Sequence, residues 1–265
     1  MTSLPHNSIS NNLNILFYKE GFSFSVSNDV EKNPKVSHFK VTHRNRWEEE
    51  VQKELETNLK LIRNFQKVYV GMISSFYNLV PNVFMNGSLE SLLNFSEAEF
   101  EENILLENKT SFENTFVFGT SQHLVDQLKK IYGENVEFYH SGKVFLDTLE
   151  KSENPVIHLN LNQKNLEIAV TNNLSLQFYN IFETLTGEDV LFYTLFVLEQ
   201  LKLDSNQVEM KTYGQLLPKT KVFQILKKYV RNINTAQKDE ESLENFTLYN
   251  LTQCGLSQEI SEEKK

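Results

Sequence analysis

The segment Val156–Phe182 reads VIHLNLNQKNLEIAVTNNLSLQFYNIF, and it decides how the fold is interpreted. Apolar and polar residues alternate in three short runs, which are separated by two Asn-rich turns. The apolar positions are Leu159 and Leu161, then Leu166, Ile168 and Val170, and then Leu174, Leu176 and Phe178. Period-two alternation broken by short turns predicts a three-stranded antiparallel meander with one buried face.

A similar meander is predicted earlier in the chain. Residues 13–18 and 22–27 alternate in the same way, and a third strand is expected near residues 36–42. Lys19, Glu20 and Gly21 form the tight turn between the first two strands. Gly21 supplies the backbone freedom that a short hairpin turn needs.

Two helices with clear patterns follow these meanders. The first is predicted to begin at a capping box of Asn45 and Glu48 and to end near Phe65. Its apolar residues, which recur every three or four positions, are Trp47, Val51, Leu55, Leu59 and Ile62. The second helix follows Thr186 and runs over Val190–Leu203. It is apolar nearly all round, so we expect it to be buried on several sides, with Phe196 in the core.

Four shorter segments complete the secondary-structure prediction. Asn78–Pro81 is expected to be a turn, and Ser88 is expected to cap a short helix. Residues 238–244 read as a solvated loop, and residues 256–265 as a disordered tail.

The order meander, helix, strand, helix occurs twice. The helices start near Arg46 and Gly187, an offset of 141 residues, and the following strands start near Val68 and Val208, an offset of 140. Equal offsets predict a duplicated architecture, and the alternative is two unrelated α/β halves that happen to match. The best candidate for the boundary between the two halves lies at residues 152–155, so the halves are predicted to be 1–152 and 153–255.

The element order resembles that of the ribonuclease-H-like unit, two of which make the actin-like fold. The chain also resembles a bacterial family of unknown function, domain-of-unknown-function family 3822, which is grouped with the actin-like ATPases. The residues that carry this resemblance are Glu20–Phe24, Asn78–Asn82, Phe178–Phe182 and Asp189–Tyr193. The resemblance spans nearly the whole chain, and it implies an α/β actin-like fold without implying an activity.

Actin-like ATPases hold phosphates and Mg²⁺ at glycine-containing turns with a nearby Asp. This pattern places the candidate nucleotide contacts of the chain at Lys19, Glu20, Gly21, Asn160, Asn162, Gln163 and Gly214. Lys19 stands where the first Asp is expected, and the second turn has neither Asp nor Gly. Gly214 stands where a pair of glycines is expected. These departures predict that ATP is not hydrolysed.

Composition and motifs exclude several other classes. The 265 residues include 26 Lys and Arg against 35 Asp and Glu, a net charge of −9, so nucleic-acid binding is not expected. Residues 13–18 and 156–161 contain no carboxylate for a two-metal nuclease, and the histidines and Cys254 lack metal-ligand spacing. No catalytic residue or metal site is predicted. Without a signal peptide or a long apolar run, a cytoplasmic protein is expected.

The sequence therefore favours a non-catalytic actin-like binding or scaffold protein with a protein partner and no cofactor. The alternative is a degenerate nucleotide-binding protein that holds ATP and magnesium between its halves. A third option is an enzyme that uses the same cleft for a small molecule. The sequence names neither the partner nor the pathway nor the oligomeric state.

Overall fold

The computed structural model describes residues 11–28, 34–87, 91–92, 103–237 and 239–262. The strands are β1 (Asn11–Tyr18), β2 (Gly21–Asn28), β3 (Val36–Lys40), β4 (Val68–Met72), β5 (Tyr77–Pro81), β6 (Asn103–Lys109), β7 (Asn114–Ser121), β8 (Val136–His140), β9 (Val156–Asn162), β10 (Asn165–Asn172), β11 (Ser175–Glu183), β12 (Glu209–Gly214) and β13 (Asn232–Thr235). The α-helices with described bounds are α1 (Trp47–Thr57), α2 (Gln122–Tyr132), α3 (Ser141–Asp147), α4 (Gly187–Gln200), α5 (Lys221–Tyr229), α6 (Glu240–Glu244) and α7 (Phe246–Glu262).

The two large sheets share one topology. The first has the order β3-β2-β1-β4-β8 and the second the order β11-β10-β9-β12-β13. In each sheet an antiparallel meander is followed by two strands that join it in parallel. In the first sheet the two parallel strands are reached through α1 and α2, and in the second through α4 and α5. The predicted duplication of meander, helix, strand and helix is confirmed.

The first half is larger than the second because it contains a third, smaller sheet. It has the order β5-β7-β6, is antiparallel, and lies between β4 and β8 in the chain. The second half passes from β12 to β13 through α5 alone. The prediction of a turn at Asn78–Pro81 is wrong, because these residues belong to β5 and pair with β7.

Both large sheets are covered on both faces. On the outer face of the second sheet, Leu166 and Ile168 pack with Val190 of α4 and Leu226 of α5. On its inner face, Ala169 and Tyr213 share a core with Phe145 of α3 and Phe246 of α7. The first sheet is covered by α1 and α2 on one face. On the other face α7 and α3 cover it through a cluster of Leu16, Tyr69, Tyr139, Val144, Leu248, Leu251 and Cys254.

This double covering overturns the prediction that the Val156–Phe182 meander has one buried face. Every residue of β9 is buried, and so are the six central residues of β10. Two polar residues on the other face, Asn160 and Glu167, are instead buried, because Asn160 bonds to Thr247 of α7 and Glu167 to Ser141 of α3. The alternation identified the two faces correctly, but it did not show that other elements pack on the polar one.

The first predicted helix is shorter than expected. α1 ends at Thr57, and Leu59 and Ile62 beyond it are 79% and 49% exposed. The capping box of Asn45 and Glu48 does not form, since the residue before the helix is Arg46 and it makes no side-chain capping bond. Glu48 instead accepts a hydrogen bond from the Ser121 hydroxyl at 2.5 Å, which links α1 to the start of α2.

The prediction that α4 is buried on several sides is wrong. One face of the helix is buried through Val190, Thr194, Val197 and Leu198. On the opposite face Phe192 and Phe196 are 61% and 44% exposed. A helix that is apolar all round therefore leaves aromatic side chains on the surface.

Three shorter segments also differ from the secondary structure predicted from the sequence, or lie outside the described residues. Residues 238–244 were predicted to be a loop, yet Glu240–Glu244 form α6, which Asp239 caps and which buries Leu243. Helix α7 continues to Glu262, so it includes most of the segment for which a disordered tail was predicted. The short helix predicted at Ser88 begins outside the described residues.

Candidate functional site

The first hairpin turn brings three of the candidate residues to the end of β1. Gly21 has a φ of 143°, which L side chains rarely adopt, and a Cβ at this position would lie 2.1 Å from the backbone oxygen of Phe39. The glycine is therefore required by the close pairing of β2 with β3. Lys19 and Glu20 occupy the turn itself, and their side chains project toward the second half.

The second hairpin turn lies at the equivalent position between β9 and β10. Gln163 adopts a φ of 55° there, and its backbone N–H donates to Gln215 Oε1 at 3.1 Å. Gly214, at the end of β12, has a φ of 65°, and a Cβ on it would lie 2.3 Å from the Leu161 oxygen. Gly214 thus allows β12 to approach β9 closely, which is a structural use of the residue.

Ion pairs join the first turn to the second half. Lys19 Nζ lies 3.2 Å from Glu183 Oε1 at the end of β11, and Lys164 Nζ lies 3.5 Å from Glu20 Oε1. Arg44 also lies 3.5 Å from Glu20 Oε1, so that oxygen faces two cations. The other oxygen, Glu20 Oε2, is buried without a hydrogen-bond partner among the described residues. Both turn lysines are thus already engaged by carboxylates of this chain.

A cavity of about 140 Å³ lies beside the second turn, and it is lined from both halves by residues that include Tyr18, Ser23, His38, Asn162, Gln163 and Gln215. Sites for cofactors and other small molecules typically occupy about 300–1,000 Å³. A larger concavity of about 470 Å³ lies within the first half, where it borders Lys19 of the first turn as well as Phe17 and Trp47. It includes no residue of the second turn.

Asn160 and Asn162 hold a buried carboxylate with their side-chain amides, and Asn162 also lines the cavity. Asn160 Nδ2 donates to Glu167 Oε2 at 2.7 Å, and Asn162 Nδ2 lies 3.4 Å from the same oxygen. Both amides also reach Thr247 Oγ1 in α7, at 3.0 and 2.9 Å. These two residues therefore tie β9 to β10 and to α7.

Glu167 receives further hydrogen bonds at its other oxygen. Ser141 Oγ donates to Oε1 at 2.9 Å from α3, and Tyr179 OH donates to it at 2.8 Å from β11. Burial raises the pKa of the Glu167 carboxyl, and the hydrogen bonds from Tyr179, Ser141 and the two asparagines oppose that shift. Burial likewise raises the pKa of Tyr179 far above its ordinary value. Glu167 and the side chains that bond to it form a polar junction between the halves, and this junction was not predicted from the sequence.

The described residues show neither a metal site nor a membrane span. Within them no group of three or more His, Cys, Asp or Glu side chains is placed to hold a metal ion. No helix in the described ranges combines the length and apolar character needed to cross a bilayer.

The duplicated sheets, with paired hairpin turns facing one cleft, define an actin-like fold, and comparison with solved structures agrees. The chain is similar to a Bacteroides thetaiotaomicron protein described as having an actin-like ATPase fold and unknown function. The TM-score is 0.79 and the identity 19%, over 93% of this chain and 97% of that one.

The chain is also similar to two proteins of secretion and pilus systems. One is the cytoplasmic domain of EpsL, an inner membrane component of the type II secretion system of Vibrio cholerae, with a TM-score of 0.53, 12% identity and coverage of 94% and 95%. The other comes from a PilM–PilN type IV pilus biogenesis complex, with a TM-score of 0.58, 10% identity and coverage of 92% and 96%. At these identities each likeness shows the fold alone.

The chain belongs to the family described as "Protein of unknown function (DUF3822)", whose model matches residues 2–233. This confirms the resemblance noted from the sequence. No curated protein matches the chain.

Proposed function

We propose that this chain is a non-catalytic actin-like module that works in the cytoplasm by binding a protein partner. The observation that carries this proposal is the occupation of the cleft by the chain's own side chains. Lys19 pairs with Glu183, and Lys164 pairs with Glu20, at the two turns where this fold would hold phosphate. A phosphate would therefore compete with these carboxylates for the two ammonium groups.

The chemistry of the turns supports the same conclusion. Phosphoryl transfer needs metal ions and cationic groups that neutralise developing charge. Gln163 and Lys164 place side chains at the second turn, where backbone N–H groups would need to approach a phosphate closely. Glu20 is a single acidic residue, and it faces Arg44 and Lys164. The cavity of about 140 Å³ beside the second turn also disfavours the third option, a small-molecule enzyme that uses this space.

A partner-binding role is in keeping with a relative that shares the fold. The PilM–PilN complex includes a protein similar to this chain over 92% of its length. That complex concerns its own proteins, and for this chain it supports only the general idea that an actin-like fold can serve as a binding module.

The proposal is tested with Mg²⁺-ATP. We expect wild-type protein to show no saturable rise in melting temperature and no release of phosphate. Lys19→Ala and Lys164→Ala would open the cleft, and Lys219→Ala is the matched control, because Lys219 pairs with Glu240 on an exposed surface. Gly21→Val is unsuitable, because its Cβ would strike the Phe39 oxygen.

Two outcomes would contradict this function. A saturable shift with Mg²⁺-ATP that is lost in Lys19→Ala and kept in Lys219→Ala would favour the degenerate nucleotide-binding alternative. Phosphate release with the same dependence would show a working active site.

A further inference from the structure

The outer face of α4 carries a contiguous exposed stripe, which we call the α4 stripe: Leu185, Glu188, Phe192, Phe196 and Glu199. Leu185, Phe192 and Phe196 are 74%, 61% and 44% exposed, and both glutamates are exposed. At 3.6 residues per turn, the four helical members fall on one side of the helix. The two phenylalanines occupy the middle of the stripe, and one glutamate lies toward each end.

The aromatic rings of the stripe pack on one another and on neighbouring rings. The rings of Phe192 and Phe196 stack with centroids 6.2 Å apart and planes 18° apart. Phe192 also contacts Tyr193, whose ring stacks on Phe182 of β11 at 4.4 Å. A capping box at Thr186 fixes the start of the helix. Rings that are already ordered lose little freedom on binding, which favours association.

The two glutamates of the stripe form no ion pair with a cation of this chain within the described residues. Lys202 lies just beyond the helix and forms no ion pair with Glu199. The two carboxylates are 11 positions apart in the sequence, which corresponds to about 16 Å along a helix. The complementary surface has apolar side chains in its centre and cations at both ends.

Charge also argues against a second copy of this chain as the occupant. Antiparallel pairing of two α4 helices about a two-fold axis would bring Glu188 of one copy beside Glu199 of the other. Parallel pairing would place each glutamate beside its own counterpart. Like charges in direct opposition are destabilising in either arrangement. The same carboxylates would repel an anionic lipid surface, and the net charge of −9 adds to that repulsion.

We propose that the α4 stripe docks a different protein through an amphipathic helix with an apolar centre and Lys or Arg near both ends. This rests on the proposed function as a binding module, and it adds the surface and the chemistry of the partner. The partner's apolar side chains cover Phe192 and Phe196, and its cations pair with Glu188 and Glu199.

The test uses peptides of about 18 residues, which is long enough for a helix to span both glutamates. The first peptide has central leucines with lysines at both ends. The second has the same centre with glutamates at both ends, and the third keeps the lysines and replaces the leucines by serine. Binding is measured by fluorescence anisotropy at low and at near-physiological salt.

We expect the leucine–lysine peptide to bind more tightly than either of the others, and more weakly as salt rises. The double variant Phe192→Ala and Phe196→Ala should weaken that binding by roughly tenfold or more. The double variant Glu188→Lys and Glu199→Lys should reverse the preference toward the glutamate-ended peptide. Phe84→Ala is the matched control, because Phe84 is 67% exposed elsewhere on the surface and should leave binding unchanged.

Several results would overturn the proposal. Equal binding of the two leucine peptides would show that charge does not select the partner, and an unchanged affinity in the double phenylalanine variant would place binding elsewhere. Self-association lost in that variant would identify a second copy as the occupant, and binding to phosphatidylserine vesicles lost in it would identify a membrane. Each of these results can occur without any response to Mg²⁺-ATP, so failure here is distinct from failure of the proposed function.

Discussion

The Ser141 hydroxyl lies 2.9 Å from Glu167 Oε1, and this hydrogen bond joins the first residue of α3 to the middle of β10. It connects the end of the first repeat to the second sheet through a carboxylate that is fully buried. A buried charge or polar group is tolerated when its hydrogen bonds are made, and it is costly when they are broken. The contact between the two halves therefore depends on one side chain more than on any single apolar contact.

Replacing Glu167 by alanine should be strongly destabilising. The substitution removes the acceptor for Ser141, Asn160 and Tyr179, and each buried donor left unsatisfied costs roughly 1–3 kcal/mol. We expect a loss of at least about 3 kcal/mol in the free energy of unfolding, measured in urea. Ser141→Ala removes one donor and should cost about 1 kcal/mol. A smaller loss of unfolding free energy for Glu167→Ala than for Ser141→Ala would show that Glu167 does not stabilise the contact between the halves.

Gly21 and Gly133, which both have positive φ, provide a matched pair for substitution. A Cβ at Gly21 would meet the Phe39 oxygen at 2.1 Å, whereas a Cβ at Gly133 would meet nothing within 4 Å. Gly133→Ala should therefore cost only about 1 kcal/mol for its strained φ of 72°. Gly21→Ala adds a backbone collision and should cost clearly more, seen as a lower melting temperature. Equal melting temperatures for the two variants would mean that β3 shifts freely away from β2.

Phe196 and Leu198 lie on opposite faces of α4. Phe196 is 44% exposed and Leu198 is 2% exposed. Phe196→Ala should lower the free energy of unfolding by less than about 1 kcal/mol, as surface changes usually do. Leu198→Ala should lower it by about 2–5 kcal/mol, because it removes packed core atoms. Urea unfolding of both variants decides this, and a larger loss for Phe196→Ala would mean that its ring is covered.

Two buried histidines predict a loss of stability in mild acid. Burial lowers the pKa of His140 to about 4 and that of His158 to about 3, from an ordinary value of 6.5. Above pH 6.5 both histidines are neutral in the folded and in the unfolded chain, so they cause no loss of stability. Below it the unfolded chain takes up protons that the folded chain does not, so stability falls by about 1.4 kcal/mol per pH unit for each histidine.

The experiment for the histidines compares variants rather than wild type alone. Folding raises the pKa of Glu167, so the contribution of this carboxyl to stability is present at low pH and is lost as the pH rises through that pKa. Its effect on stability therefore has the opposite pH dependence to that of the two histidines. His158→Gln should flatten the dependence of urea stability on pH between about 6.5 and 4. Parallel pH curves for wild type and His158→Gln would refute the assignment.

The sequence predicted those parts of the fold that depend on local pattern. The turn at Gly21 and both meanders follow from short-range chemistry, and the structure contains them. The equal offsets of helix and strand identified the duplication, because in each repeat two helices cover one face of that repeat's own sheet. The cleft between the two turns could be located in the same way, since hairpin turns at equivalent positions face each other.

The buried junction could not be predicted, because it depends on segments far apart in the chain. Alternation with Leu166 and Ile168 showed correctly that Glu167 faces away from them. It could not show that α3 and α7 cover that second face. In α4 the apolar residues occupy all sides, so periodicity carried no information about which side is exposed. For that reason the α4 stripe could not be predicted from the sequence.

The position of α7 has a consequence for how the chain is synthesised. Strands β1 and β4 leave the ribosome long before Leu248 and Leu251, which cover Leu16 and Tyr69. The first repeat therefore emerges with one apolar sheet face open, and it stays open until residues 246–254 have been translated. Such an exposed face is a binding site for chaperones and a source of misfolding. The N-terminal half is expected to reach its final structure only after translation of α7, although its own strands are made first.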